Sequence, residues 1–428
     1  MKKFYLIAIL ATINTCIKAQ QALLFKQDTI QLTIKEAEDS FLQKNLSIIA
    51  QNFSIDSARA SIITAKLYDN PEFSYSTGFY QPQSKKFFDF TNNGRETSIQ
   101  LSQLFKTAGK RSKVVQLATS GVDIAQFQFY DLIRTLRSSL RTDMYNIYFL
   151  MRSEKLYQLE INSLRSIVPA YEKEEKKGYI ALKDVLRIKS QLYTLEAEYN
   201  DLQTNIDNIE SEVRILLRAG SNAYISPSIP ENLDSISLIQ KVSFESLIDS
   251  ALLNRPDLKG LKALVTYSKN NLILQKALAK PDFNLNLSYD RQGSYVKYFN
   301  AIGISLPIPV FNRNQGNIKS SQIQTQVSEI VYQATSEKVS NDISTAYWTA
   351  VRAEKLLQSF DPSFDKDLEH LIKEVFKNFN KRNVTMLEFL DFYESYKQNF
   401  LQLNKLRFNK ANALEQLNFL TGRTLFNK

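Results

Sequence analysis

Few residues of this 428-residue chain offer covalent or metal chemistry. A single Cys and a single His exclude, on numbers, a Cys/His metal cage and a His-assisted nucleophile. Met144, Met151 and Met386 are scattered and form no thioether cluster. Carboxylates are numerous, but no spacing singles out an acid/base pair, and spacing alone does not define one. No cofactor is expected. The net charge of +10 raises the question of a nucleic-acid partner. Yet the Lys and Arg lie along helical segments among Asp and Glu and make no basic stripe. They read as a solvated helix surface, and no nucleic acid is expected. What remains is non-covalent: strands with one apolar and one polar face, carried by long helices.

The strands come in two pairs. Over 72–81, Phe73, Tyr75, Thr77 and Phe79 alternate with Ser74, Ser76 and Gly78. After a polar loop (82–94), Thr97, Ile99 and Leu101 alternate with Ser98, Gln100 and Ser102. The second pair is 282–291, with Phe283, Leu285, Leu287 and Tyr289 against Asn284, Asn286 and Ser288, and 297–306. In each half the last strand runs into an apolar shoulder and a Gly-containing turn, and then a helix. The turn residues are Gly109 in the first half and Pro307, Pro309 and Gly316 in the second.

With only 11 Gly and 10 Pro, the chain has room for long helices and few turns. Its length allows one large core or two domains. A helix over 32–66 follows a Thr33 cap and stops at Asn70-Pro71. From 108 to about 177 the pattern is helical, roughly 100 Å at about 1.5 Å per residue, and Pro169 is expected to kink or break it. Lys177-Gly178-Tyr179 makes a turn. The next helix carries Ile188, Leu192, Leu195, Tyr199, Leu202, Ile206, Ile209, Val213 and Leu216 in alternating steps of four and three, a heptad seam. Gly220 ends it, and 221–241 reads as a linker.

The whole pattern then repeats. Thr33/Ser243, Leu42/Leu252, Pro71/Pro281 and Phe73/Phe283 pair at one offset (281 − 71 = 210). The heptad helices pair at 204, as in Leu202/Leu406, and Lys410 interrupts the second seam. The chain divides into 1–19, a first repeat over 20–220, the linker, and a second repeat over 242–428. Residues 1–19 have a basic start, an apolar run too short to span a bilayer, and Ala19 at a cleavage point. They read as a signal peptide. Cys16 belongs to that signal or carries a lipid; Ile13-Asn14-Thr15 before it fits lipidation poorly. No later segment qualifies as a transmembrane helix, so any membrane entry is by strands.

Four two-faced strands do not close a barrel, because membrane barrels start at about eight strands. Three copies would give twelve. Phe73, Tyr75, Phe79, Phe283, Leu285, Leu287 and Tyr289 would then face lipid, and the Ser, Asn and Gln partners would face water. A soluble sheet packed on helices is the competing reading. Export, heptads and alternation favour the channel.

LPIPVFNRNQGNI at 306–318 and QLSQLFKTAGK at 100–110 resemble the TolC family of outer-membrane efflux proteins, as do NRPDL at 254–258 and LNFLTG at 417–422. The likeness covers essentially the whole mature chain. The PVFNRNQGN form is most similar to the heavy-metal cation efflux, CzcC-like, branch. The resemblance implies a mainly α chain with a β-barrel part. It implies a homotrimer with four strands per chain in a twelve-stranded outer-membrane β-barrel, continuous with a long periplasmic α-helical barrel. It further implies a passive duct that catalyses nothing in the outer membrane of a Gram-negative bacterium. The implied partners are outer-membrane lipid, a periplasmic adaptor and an inner-membrane pump of the RND type. Two helical turns match the family's adaptor-contacting tips: Gly178, Tyr179, Ile180, Ala181 and Leu182, and then Asn383, Val384, Thr385 and Met386. The family has Gly in both turns. Here the second has Arg382-Asn383, and Asn tolerates a left-handed turn. Acidic residues beyond the turns map onto Asp184, Glu388 and Asp391 and would ring a cation-favouring constriction. The same residues also suit the first turn of a helix.

Two alternatives stand beside this reading. A channel for type I protein secretion or drug efflux has the same architecture. A periplasmic coiled-coil adaptor would show one helical hairpin and a Gly-rich lipoyl-like domain, whereas this chain has two hairpins and no such domain.

Overall fold

The computed structural model describes residues 29–81, 85–88, 96–230, 242–292, 296–361 and 363–426. The signal segment, Cys16, residues 231–241 and most of the loop 82–94 lie outside them.

The described chain opens with a strand, β1 (Thr29–Thr33), whose last two residues overlap the start of the helix expected over 32–66. Helix α1 (Ile34–Lys44) follows, with Thr33 as its expected cap. The Thr33 side chain accepts from the Glu36 amide while the Glu36 carboxylate accepts from the Thr33 amide, a reciprocal capping box. The predicted single helix over 32–66 is in fact two. Asn45 breaks it: its amide donates to the Phe41 carbonyl and closes α1, and its Oδ1 accepts from the Ser47 and Ile48 amides to start α2 (Leu46–Lys66). The second half breaks at the same offset, at Arg255, between α5 (Phe244–Asn254) and α6 (Pro256–Leu278).

Strands β2 (Glu72–Thr77) and β5 (Thr97–Phe105) flank the short β3 (Tyr80–Gln81) and β4 (Lys86–Phe87). Helix α3 (Lys110–Lys176) then runs through Pro169 without ending there, so of the expected kink or break the break does not occur. Proline removes one helical hydrogen bond, at a cost of about 3 kcal/mol. The neighbouring Leu164 and Ile167 are fully buried in a core cluster, and that packing holds the turn in helix. Helix α4 (Leu182–Leu217) buries most of its heptad seam, with Tyr199, Leu202 and Ile209 half-buried. Its end differs from expectation, since the left-handed cap is Arg218 (φ 53°) and Gly220 lies beyond it. The segment read as linker contains a strand, β6 (Tyr224–Ser228), paired in parallel with β1. Each is too short for its alternation to show. Pro227 is accommodated because a two-stranded sheet is all edge.

In the second half, β7 (Phe283–Asp290) and β8 (Phe299–Ser305) are followed by α7 (Gln315–Gln358), α8 (Phe364–Asn380) and α9 (Met386–Thr421).

The chain forms two compact units. Of the described residues, those in 29–49, 132–254 and 339–426 form one, and those in 50–131 and 255–338 the other. Both repeats contribute to both units. The first unit holds the β1–β6 pair and a core shared by α3, α4, α8 and α9, centred on Leu164, Ile188, Leu195, Phe379 and Phe389. The second holds an antiparallel sheet in the order β2-β5-β7-β8, with Ile55 of α2 packed on Val122 and Ala125 of α3. No helix among the described residues is long and apolar enough to cross a membrane.

Candidate functional site

In the second unit, strand register decides which side chains share a face. Phe73 pairs with Leu101 and Tyr75 with Ile99. Leu101 pairs with Leu287, and Phe105 with Phe283. Leu285 and Leu287 then pair with Ile304 and Ile302. Alternation therefore puts one mainly apolar face across all four strands, interrupted by Gln103 opposite Leu285 and Asn300 opposite Tyr289. Within the chain that face is open: Phe73, Ile302 and Ile304 are about two-thirds exposed. The opposite face is polar. Gln100 donates to Asn286 (3.3 Å), and Asn286 donates to Ser305 (3.2 Å). Strands β2 and β8 are the sheet's two edges. Of the residues assigned to the apolar face from sequence, Phe79 departs. Strand β2 ends at Thr77, and Phe79 stacks on Phe87 beside the small β3–β4 pair. Sequence reasoning left Ile302 and Ile304 out of that set, although their own alternation points to them.

Each strand-to-helix turn needs a left-handed residue. In the first it is Gly109 (φ +64°), preceded by Ala108 (φ 52°). In the second it is Asn314 (φ 60°); Gly316, expected in the turn, sits inside the first turn of α7. Pro307 and Pro309 lie between β8 and α7, where neither must donate to a ladder. The first turn is pinned to the start of β7. Lys110, buried, pairs with Asp282 (2.7 Å) and donates to the Lys280 carbonyl (2.6 Å). The Thr107 amide also donates to Asp282 (2.7 Å). Burial raises the Asp282 pKa, but the Lys110 and Thr107 hydrogen bonds outweigh it and hold the carboxyl below its usual range.

In the first unit, the two helical hairpins end in equivalent turns. Gly178 takes φ +79° as expected. In the second turn the left-handed residue is Arg382 (φ 61°), not Asn383. Its offset from Gly178 is 204, that of the heptad helices. Arg382 reaches across to the first hairpin and contacts Glu174 at 3.2 Å. A left-handed non-glycine residue costs about 1–2 kcal/mol, and an exposed ion pair contributes about 1 kcal/mol or less. Arg382→Gly should therefore raise stability by up to about 1 kcal/mol, read as a higher unfolding midpoint. A lower midpoint would show that the Glu174 contact outweighs the strain.

The tips differ in surface. Tyr179 and Leu182 are exposed, with Gly178 and Ala181 beside them and Ile180 half-buried. Val384 and Met386 pack on the core cluster, which leaves Asn383 and Thr385 outermost. Of the acidic residues, Asp184 is half-buried in the first turn of α4. Glu388 is exposed and closes the α9 capping box: its carboxylate accepts from the Thr385 amide (2.9 Å) and hydroxyl (2.7 Å). Those hydrogen bonds, the backbone one foremost, lower its pKa. Asp391 is exposed on the side of α9 away from the buried Phe389 and Tyr393.

Two buried polar clusters in this unit were not foreseen. Arg141 of α3 donates twice to Glu415 of α9 (2.7 and 2.8 Å) and once to Glu38 of α1 (2.7 Å). Lys397 of α9 pairs with Glu198 of α4 (2.9 Å) and with Glu394 (3.0 Å), beside a buried Glu160 of α3. The only sequence signal for them was a charged residue at a core spacing. Among the described residues no cluster of His, Cys, Asp and Glu is placed to hold a metal.

A sequence model of the outer membrane efflux protein family matches residues 38–217 and 247–423. Over 304 residues the chain is 21% identical to the cobalt-zinc-cadmium resistance protein CzcC of Cupriavidus metallidurans, covering 71% of this chain and 69% of that one. Over 172 residues it is 23% identical to the toxin and drug export protein A of Aggregatibacter actinomycetemcomitans, spanning 38% of this chain and 37% of that relative. Its fold is that of the CusC structure solved in a study of folding and transmembrane channel formation. The TM-score is 0.71 at 14% identity, with 93% of this chain and 94% of that one covered.

Proposed function

Because the chain belongs to the outer membrane efflux protein family, the TolC family, it is an outer-membrane efflux channel, and we propose that three copies close it into a passive exit duct. The observation that carries this reading is the open sheet: four strands in register, apolar on one face and polar on the other, with both edges unpaired among the described residues. An unpaired edge inside hydrocarbon is untenable. Pairing β8 of one copy with β2 of the next would satisfy both edges, and three copies would make a twelve-stranded wall. Lipid would meet the apolar face, and the Ser, Asn and Gln ladder would line water. No step in this scheme requires catalysis.

The helical hairpins are the proposed docking end. A periplasmic adaptor would meet the exposed Tyr179 and Leu182, and an inner-membrane pump, of the RND type, would deliver substrate. The longer alignment to the cobalt-zinc-cadmium resistance protein favours cation efflux over toxin or drug export. Fractionation of outer membranes, followed by mass determination of the detergent-solubilised complex, should give three chains per particle. A water-soluble single chain would end the proposal.

We assign Asp184, Glu388 and Asp391 to a cation-favouring constriction near the tips. Neutralising all three as Asp184→Asn, Glu388→Gln and Asp391→Asn should reduce cation preference in single-channel recordings. Gln still serves a capping box, so the start of α9 survives the change. An unchanged reversal potential in a salt gradient would remove their assigned role.

A further inference from the structure

The geometry points to a binding site for the anionic head group of a glycerophospholipid in a cavity of the second unit, lined by α2, α3 and α6 beside the end of β5. The inference rests on the reading that the apolar face of the sheet meets lipid. The cavity is about 490 Å³, within the usual range for ligand sites. Its floor is apolar, with Leu67, Val114, Leu117 and Tyr267, and its only charged lining residues are Lys106 and Arg111. Lys106 directly follows Phe105, whose ring stacks on Phe283 (centroids 5.3 Å apart) on the apolar face. The cationic rim thus starts one residue beyond the lipid-facing surface.

Both cations are positioned. Lys106 is 3.0 Å from Asp69 and still 40% exposed. The Arg111 guanidinium lies 3.8 Å over the exposed Tyr68 ring and donates once, to the Lys66 carbonyl (3.4 Å). A guanidinium has five N–H donors, so most remain for a planar, bidentate phosphate contact. Lys66 and Lys113 lie at the same junction but outside the cavity lining, and neither pairs with a carboxylate among the described residues. Tyr is also a residue of the membrane–water boundary. Cations around a pocket beside membrane-facing elements suit a lipid head group. The apolar floor and the volume suit an acyl chain, and a free phosphate would leave both unused.

The test uses the assembled full chain in detergent and native mass spectrometry with added phosphatidylglycerol or phosphatidylethanolamine. The wild type should retain phosphatidylglycerol preferentially. Lys106→Gln/Arg111→Gln should weaken that retention roughly tenfold or more. Lys66→Gln/Lys113→Gln, with the same charge change outside the cavity lining, should retain most of it. Ala118→Trp fills the cavity without altering charge and should also release the lipid. Equal retention by the wild type and Lys106→Gln/Arg111→Gln would reduce the lipid to an unspecific coat and overturn the site. Displacement by an equal concentration of inorganic phosphate would make it a free-anion site and overturn it too. A chain that inserts into vesicles but shows no such preference sinks only this inference. A chain that never inserts sinks the channel reading itself.

Discussion

Arg141→Met should lower stability by about 3–5 kcal/mol, the range for breaking one side of a buried ion pair. The side chain is 7% exposed and its partner Glu415 only 1%. Two parallel N–H···O bonds join them, and a third donor holds Glu38. Three helices, α1, α3 and α9, therefore meet at one guanidinium. Burial works against its charge, but the contacts with Glu415 and Glu38 outweigh that and raise its pKa further above the ordinary value. Methionine fills similar space but takes both guanidinium hydrogen bonds away from the buried Glu415 carboxylate. The damage should spread along α9. Glu415 also accepts from Asn418 (3.1 Å), whose Oδ1 accepts from the Leu425 and Phe426 amides and ties down the tail. The double variant Arg141→Met/Glu415→Leu removes both charges, and an apolar pair of similar volume is often as stable as the ion pair. It should recover most of the loss in denaturant midpoint. A double variant as unstable as the single one would show that shape, not the stranded carboxylate, carries the effect.

That cluster was invisible in the sequence, for a physical reason. A helical period reports how apolar residues share a face, and it says nothing about which distant carboxylate an arginine will find. What the pattern did report was local and periodic. The α4 seam from Ile188 to Leu216 faces inward as its four-three spacing required, buried or half-buried along its length. The alternation at Phe73, Leu285 and Tyr289 became one face of one sheet once register was set. Thr33 and Gly178 marked a helix start and a turn correctly, because cap and left-handed chemistry are local. The errors share a cause, which is tertiary contact overriding local signal. Asn45 breaks a continuous helical pattern because its side chain also donates to the Leu216 carbonyl at the end of α4 (3.1 Å). Strands β1 and β6 exist only through each other, across nearly the whole first repeat. Arg382 accepts a strained backbone in the hairpin turn where the neighbouring Asn383 was the better local candidate. Of the candidate site, the open sheet followed from alternation. The tip residues rested on resemblance, and the acidic ones came with a helix-capping role for Glu388 that its spacing from Thr385 already allowed.

Glu160→Gln should stabilise the chain at alkaline pH and flatten its pH dependence. Glu160 is 1% exposed, in the core shared by α3, α4, α8 and α9, and its Oε1 has no hydrogen-bond partner among the described residues. The charged groups around it are Lys397 and Glu394 of α9 and Glu198 of α4, and Tyr157 of its own helix donates to Glu198 (3.2 Å). Lys397 is already shared by two carboxylates. Burial, only partly opposed by Lys397, pushes the Glu160 carboxyl up to about 8, from an ordinary 4.5. The folded chain therefore holds this proton across a window in which the unfolded chain releases it. Stability from this group is complete below about pH 4.5 and is lost as pH rises to about 8. At about 1.4 kcal/mol per pKa unit, Gln should gain up to about 5 kcal/mol at pH 8 and above, and nothing at pH 4. Lys397→Met is the opposite lever. It strands Glu198 and Glu394 together and should destabilise the hairpin core throughout the neutral range. Unfolding midpoints of the wild type and both variants at pH 5 and pH 8.5 separate these effects. Parallel midpoints for the wild type and Glu160→Gln at the two pH values would mean that the buried carboxyl does not titrate with folding. A wild-type loss at pH 8.5 that Gln abolishes would make the core beneath the two hairpins looser in alkali, with amide exchange fastest in α4 and α9 around Glu198 and Lys397.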